Sequence, residues 1–87
     1  MRVFLTPQFV RMFDKLEHGL QEEAVERIET FKDTSSHRAL RVHKLHGKHK
    51  NYYAFSVNYR YRIVFKYSSA EKTEAILLAV GDHDLYR

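Results

Sequence analysis

Tyr59-Arg-Tyr-Arg-Ile-Val-Phe-Lys-Tyr67 alternates apolar or aromatic residues with mostly basic ones. Successive side chains of a strand point to opposite faces, so a period of two predicts a β-strand with two unlike sides. Tyr59, Tyr61, Ile63, Phe65 and Tyr67 fall on one side; Arg60, Arg62, Val64 and Lys66 fall on the other. The aromatic side needs a hydrophobic cover. The basic side carries two arginines about 7 Å apart, at roughly 3.3 Å rise per residue. That spacing suits two neighbouring oxygens of one phosphodiester backbone. The competing reading pairs both arginines with acidic residues of the elements that cover the sheet. A cover on the aromatic side weakens it, because the arginines then stand on the opposite face.

Working outward, Tyr52 to Val57 also alternates, and Asn58 predicts a hairpin turn at positive φ. Ser68 to Lys72 predicts the next turn. Glu74 to Val80 is a nearly continuous apolar run, which predicts a buried inner strand. Ala39 to Lys44 predicts a short strand, with Gly47 at the turn after it. Toward the N-terminus the period changes to that of helices. Arg2 to Thr6 predicts a first strand, with Thr6 as N-cap and Pro7 as the first helical residue. Phe9, Phe13 and Leu16 mark one helical stripe; Leu20, Ala24, Ile28 and Phe31 mark a second. Glu22, Glu23, Glu26, Arg27 and Glu29 occupy the second helix's other face. Gly19 breaks the pattern, so two antiparallel helices joined near His18-Gly19 are expected. The order is β-α-α-β-β-β-β. It predicts an α+β fold, an antiparallel-rich sheet with both N-terminal helices packed on one face.

A chain of 87 residues without repeats or a linker reads as a single domain, 1–87. No apolar run reaches the length of a membrane span, and Met1 to Pro7 does not resemble a signal peptide. Cysteine is absent, which removes disulfides, thiolate metal sites and cysteine nucleophiles together. A cytoplasmic protein stabilised by packing is expected.

Charge is concentrated. Residues 1–36 hold five basic and seven acidic side chains, residues 37–67 eight basic and none acidic, residues 68–87 two basic and four acidic. The segments therefore carry −2, +8 and −2, which sum to the chain's +4. A segment of like charge repels itself unless a polyanion or an acidic partner meets it. Nucleic acid is the commonest such partner, and the alternative is a solvated basic face. Within His37 to Lys50 stand Arg38, Arg41, Lys44, Lys48 and Lys50 with His37, His43, His46 and His49, a set suited to cradling a polyanion. The three-residue spacing of His43, His46 and His49 invites a metal reading. On a turn it does not bring the rings to one face, no cysteine completes a ligand set, and no metal or other cofactor is expected.

The chain closes with Gly81-Asp-His-Asp-Leu-Tyr-Arg87. Gly81 is expected to turn the chain away at the sheet edge. Flanking carboxylates favour the charged, proton-donating form of His83. Tyr86 can stack on a base or donate a hydrogen bond.

Leu45-His-Gly47 before a hairpin, Tyr61-Arg-Ile-Val-Phe65 and Val80-Gly-Asp-His-Asp-Leu-Tyr86, in this order and within this length, resemble the RelE/ParE superfamily of toxins from bacterial type II toxin–antitoxin pairs. The resemblance spans essentially the whole chain. It implies a RelE-like fold, with mRNA cut on the ribosome in the A site and a cognate acidic antitoxin as partner. By position, Arg62 matches the arginine that holds the scissile phosphate. His83 matches a catalytic histidine or arginine near the C-terminus, and Tyr86 a residue that orients the substrate base. Residues 43–50 match a variable segment that supplies Glu, Lys or His. A glutamate used elsewhere as general base has no counterpart between residues 37 and 67. His46, or else His43, has to replace it, or a lysine-rich site stabilises the charge without one strong base.

The chemistry so implied is metal-independent RNA cleavage. The ribose 2′-OH attacks the adjacent phosphate, a base takes its proton and an acid protonates the departing 5′ oxygen. Arg60 and Arg62 neutralise the phosphate, with Lys44, Lys48, His49 and Lys50 in support. His83 is the expected acid. The alternative is a ParE-like inhibitor of DNA gyrase, or a binding module of the same fold without catalysis.

Overall fold

The computed structural model describes residues 1–47, 51–82 and 85. Strand β1 (Arg2–Leu5) passes directly into helix α1 (Pro7–Asp14). Thr6 is the N-cap as expected: its Oγ1 accepts the Phe9 N–H at 3.1 Å and donates to the Leu77 carbonyl at 3.0 Å. Pro7, with no N–H to satisfy, occupies the first turn. Helix α2 (His18–Phe31) follows. The break between the helices lies at residues 15–17, so Gly19 sits inside the first turn of α2 and does not join the two.

A single 3-10 turn (Thr34–Ser36), capped by Asp33, leads to β2 (His43–Lys44), β3 (Tyr53–Ser56), β4 (Tyr61–Tyr67) and β5 (Glu74–Asp82). The sheet order is β1-β5-β4-β3-β2, with β1 parallel to β5 and the other pairs antiparallel. The α+β fold and its element order are as the periodicity predicts. Among the described residues no helix is long and apolar enough to cross a membrane.

Both helices cover one sheet face. Phe9 of α1 and Ala24 and Phe31 of α2 meet Phe55, Ile63, Phe65, Ala75, Leu77 and Val80 in one buried cluster. Phe31 is its centre. Its ring stacks on Phe55 at 4.3 Å and on His37 at 4.7 Å, and meets Phe65 edge-on at 4.7 Å. His37 Nε2–H donates to the Phe31 carbonyl at 2.8 Å, so this imidazole belongs to the core boundary.

Ala75, Leu77 and Val80 share this face although two residues, not one, separate the last two. The register explains it: Phe65 opposes Leu77 while Val64 opposes Ala79, which leaves Leu78 as an extra residue. This bulge shifts the parity of the strand by one. It explains why the sequence of β5 reads as a continuous apolar run.

The other face is built on small residues. Ala54, Val64 and Ala79 are fully buried beneath Leu45, Tyr52, Leu78 and Leu85. Gly81 stays in β5, opposite Arg62, instead of turning the chain away. A Cβ placed there would stand 3.5 Å from Leu85. Leu85, whose N–H donates to the Asp82 carbonyl at 3.0 Å, thus packs on this second face.

Candidate functional site

A cleft of about 480 Å³ opens where α2, the loop before β2 and the turn between β3 and β4 meet. Arg27, Arg41, Arg60 and Arg62 line it together with His43, Ser56 and Tyr59, and among the described residues no carboxylate lines it. The pairing fixes who points where. Directly opposed residues of neighbouring strands share a face. His43 opposes Ala54, which opposes Val64, so His43 stands on the face of Val64 and Arg62. Its position is two strands and two residues from Arg62, roughly 12 Å between Cα atoms. An arginine and an imidazole can reach one phosphodiester across that span.

Lys44 falls the other way. It opposes Tyr53, which opposes Phe65, and so shares the helix-bearing face. His46 lies beyond β2 toward Gly47 and does not line the cleft. The strand expected from Ala39 shortens to His43–Lys44, because Arg41 adopts φ 60° and redirects the chain. That kink brings Arg41 into the cleft.

Strand β4 starts at Tyr61 rather than Tyr59, so Arg60 belongs to the turn and not to the alternation. The turn is not made by a positive φ at Asn58. Instead Asn58 Oδ1 accepts the Arg60 N–H at 2.9 Å and the Tyr61 N–H at 2.8 Å. Its Nδ2 donates to Glu23 Oε1 at 2.8 Å and ties the turn to α2. The Arg60 guanidinium lies over the Tyr61 ring at 5.7 Å. Tyr59, expected on the aromatic face, is fully exposed at the turn.

The ion pairs clarify the electrostatics. Those among the described residues join Arg2–Glu74, His18–Glu22, Arg27–Glu23, Arg27–Glu26 and Lys32–Glu29. Among the described residues, no carboxylate neutralises Arg41, Arg60 or Arg62. Arg27, which also lines the cleft, is paired instead with Glu23 and Glu26 of its own helix.

His43 has a defined tautomer. Its Nδ1 stands 2.8 Å from the Arg41 carbonyl, which can only accept. Nδ1 therefore carries the proton and the neutral ring leaves its Nε2 lone pair free. Lys48, His49, Lys50, His83 and Tyr86 lie outside the described residues. Leu85, which stands between His83 and Tyr86 in the chain, packs on the second face against the cluster of Ala54, Val64 and Ala79. Arg27 and Ser56 were missed by reading the sequence, which placed Arg41 only within the general basic segment His37 to Lys50. Ser56 follows from pairing β3 with β4, whereas nothing local marks Arg27 or the kink at Arg41.

A family model described as the RelE-like toxin of the type II toxin–antitoxin system HigB matches residues 10–80. The chain belongs to this family. Among solved structures, the YoeB/ParE toxin from Agrobacterium tumefaciens is similar with a TM-score of 0.75 at 15% identity, covering 95% of this chain and 99% of that one. The RelBE2 toxin–antitoxin complex from Mycobacterium tuberculosis contains a chain similar at TM-score 0.73 and 21% identity, covering 94% and 96%. The intact Escherichia coli RelBE complex contains one at 0.68 and 18%, covering 93% and 94%. At such identities the likeness is one of fold. No curated protein sequence matches this chain. The RelE-like fold and the superfamily named from the sequence motifs agree with these findings.

Proposed function

We propose that this RelE-like toxin is a metal-independent endoribonuclease that cuts mRNA on the ribosome and thereby stops translation. The observation that carries the reading is the cleft itself: Arg41, Arg60 and Arg62, without carboxylate partners among the described residues, beside an imidazole whose Nε2 is free. A phosphodiester in cleavage accumulates charge on its non-bridging oxygens, and fixed cations in a partly enclosed site stabilise that charge. Arg62 and Arg60 serve this role, with Arg41 beside them and Lys48, His49 and Lys50 in support.

The general base is His43, in preference to His46. Its Nε2 takes the proton of the 2′-OH while the Nδ1–H bond to the Arg41 carbonyl holds the ring. The 2′ oxygen forms its bond to phosphorus and the bond from phosphorus to the 5′ oxygen breaks. His83 protonates that leaving oxygen, and Tyr86 orients the substrate base. The products are a 2′,3′-cyclic phosphate and a 5′-OH. Every proton and charge in the sequence is handled by groups of this chain.

Two similar structures are toxin–antitoxin complexes. By that analogy an acidic antitoxin covers the +8 segment when the toxin is silent. The deciding experiment uses ribosomes programmed with an mRNA that carries a single 2′-deoxynucleotide at the cleaved position. The ribose message is cut to cyclic-phosphate and 5′-OH ends, and the deoxy message stays whole. Equal cutting of both messages excludes attack by the 2′-OH.

A further inference from the structure

Tyr59 serves no purpose in the fold. Its exposure is 101% of the reference, whereas among the described residues the next most exposed large hydrophobic one, Leu5, reaches 52%. A large aromatic side chain left wholly in water forgoes the burial that normally accounts for its presence.

The backbone that carries it is nevertheless fixed on both sides. The Val57 and Asn58 N–H groups donate to the Tyr61 carbonyl at 2.9 and 3.3 Å. Asn58 Oδ1 closes the turn from within by accepting the Arg60 and Tyr61 N–H groups. The Asn58–Glu23 bond anchors the whole turn to α2. A ring held on such a turn loses little conformational entropy when it meets a ligand. It stands at the rim of the cleft, next to Arg60.

We infer that Tyr59 is a stacking platform for an unpaired nucleobase of the RNA strand whose backbone the arginines hold. The inference rests on the proposed function and extends it, by placing a base contact outside the reacting phosphate. Aromatic rings beside cationic backbone contacts are how single strands are gripped without regard to sequence. Arg41, Arg60 and Arg62, unpaired with carboxylates among the described residues, stand beside the ring to hold the strand's backbone.

The chain contains no tryptophan, so Tyr59→Trp supplies a single reporter. The variant is titrated at low salt with a single-stranded RNA of about ten nucleotides, a length within the usual site sizes. A second titration uses an abasic ribose-phosphate oligomer of equal length. Expected is saturable quenching by the RNA and none by the abasic oligomer. By electrophoretic mobility shift, Tyr59→Ala binds the RNA about fivefold more weakly than wild type, and Tyr59→Phe stays within about twofold. The salt dependence is unchanged in all three, because no phosphate contact is lost. Equal RNA affinity of Tyr59→Ala and wild type, with binding still lost in Arg62→Ala, overturns the platform and leaves the cleft reading standing. Failure of wild type to bind RNA overturns both.

Discussion

The two faces of one sheet are built by opposite rules. The helix-bearing face buries large rings against one another: Phe9, Phe31, Phe55 and Phe65 meet there in a single cluster. Among the described residues the other face buries only Ala54, Val64 and Ala79, and at its end Arg62 and His43 reach a cleft lined by arginines. Arg62 and Ile63 are neighbours in the chain, yet Ile63 is wholly buried among rings and Arg62 looks into the cleft. The alternation of β4 thus separates stability from chemistry residue by residue. Substitutions on the first face should unfold the protein, whereas those in the cleft should leave it folded and inactive.

The largest effect tests the first half of that contrast. Phe31→Ala removes the ring shared by Phe55, Phe65 and His37. It is expected to cost about 3–5 kcal/mol in urea denaturation. A loss under about 1 kcal/mol would mean that the cluster does not hold the fold. Next, Arg62→Ala is expected to lower RNA cleavage at least about 100-fold while folding stability changes by no more than about 0.5 kcal/mol. Comparable losses of stability for Phe31→Ala and Arg62→Ala would erase the distinction between the faces. His43→Ala should reduce cleavage about 100-fold with RNA affinity retained, and His46→Ala should leave the rate within about twofold. The reverse order of these two variants would return the base to the hairpin.

Asn58→Ala joins both faces, because its side chain links the cleft turn to Glu23 on α2. A cost of about 1–2 kcal/mol is expected, with weaker RNA binding as the turn loses its lock. The smallest effect lies outside both faces. The Ser35 hydroxyl and N–H bonds hold the Asp33 carboxyl below its ordinary value of 3.8. A depressed folded value adds stability above the ordinary value, and that stability disappears as the pH falls through the lower one. Urea midpoints of wild type and Asp33→Ala should therefore differ at neutral pH and converge in strong acid.

Much of the architecture was legible because local chemistry and tertiary packing agree. Thr6-Pro7 reads as a helix start and is one, and the stripe of Leu20, Ala24, Ile28 and Phe31 faces the core. The misplacements of Tyr59 and Lys44 share one physical origin, a shift of parity. The Asn58 side chain closes the hairpin and delays β4 to Tyr61, which ejects Tyr59 from the aromatic face. A single residue of register decides that His43, and not Lys44, shares the face of Arg62. The bulge at Leu78 reverses β5 in the same way. Period-two patterns identify strands, but their phase is set by turns and partners that lie far along the chain. Arg27 enters the cleft from a helix whose sequence advertises only a charged outer face, so its place depends on packing alone.

The most direct test is mapping of 5′ ends in cellular transcripts after brief induction of wild type and of Arg62→Ala. Wild type should produce new 5′-OH ends inside translated regions, and Arg62→Ala, expressed to the same level, should produce none. Growth arrest by wild type with intact transcripts and signs of DNA damage would contradict the account and point to gyrase. Equal cutting by both proteins would show that the arginine cleft is not where RNA is broken.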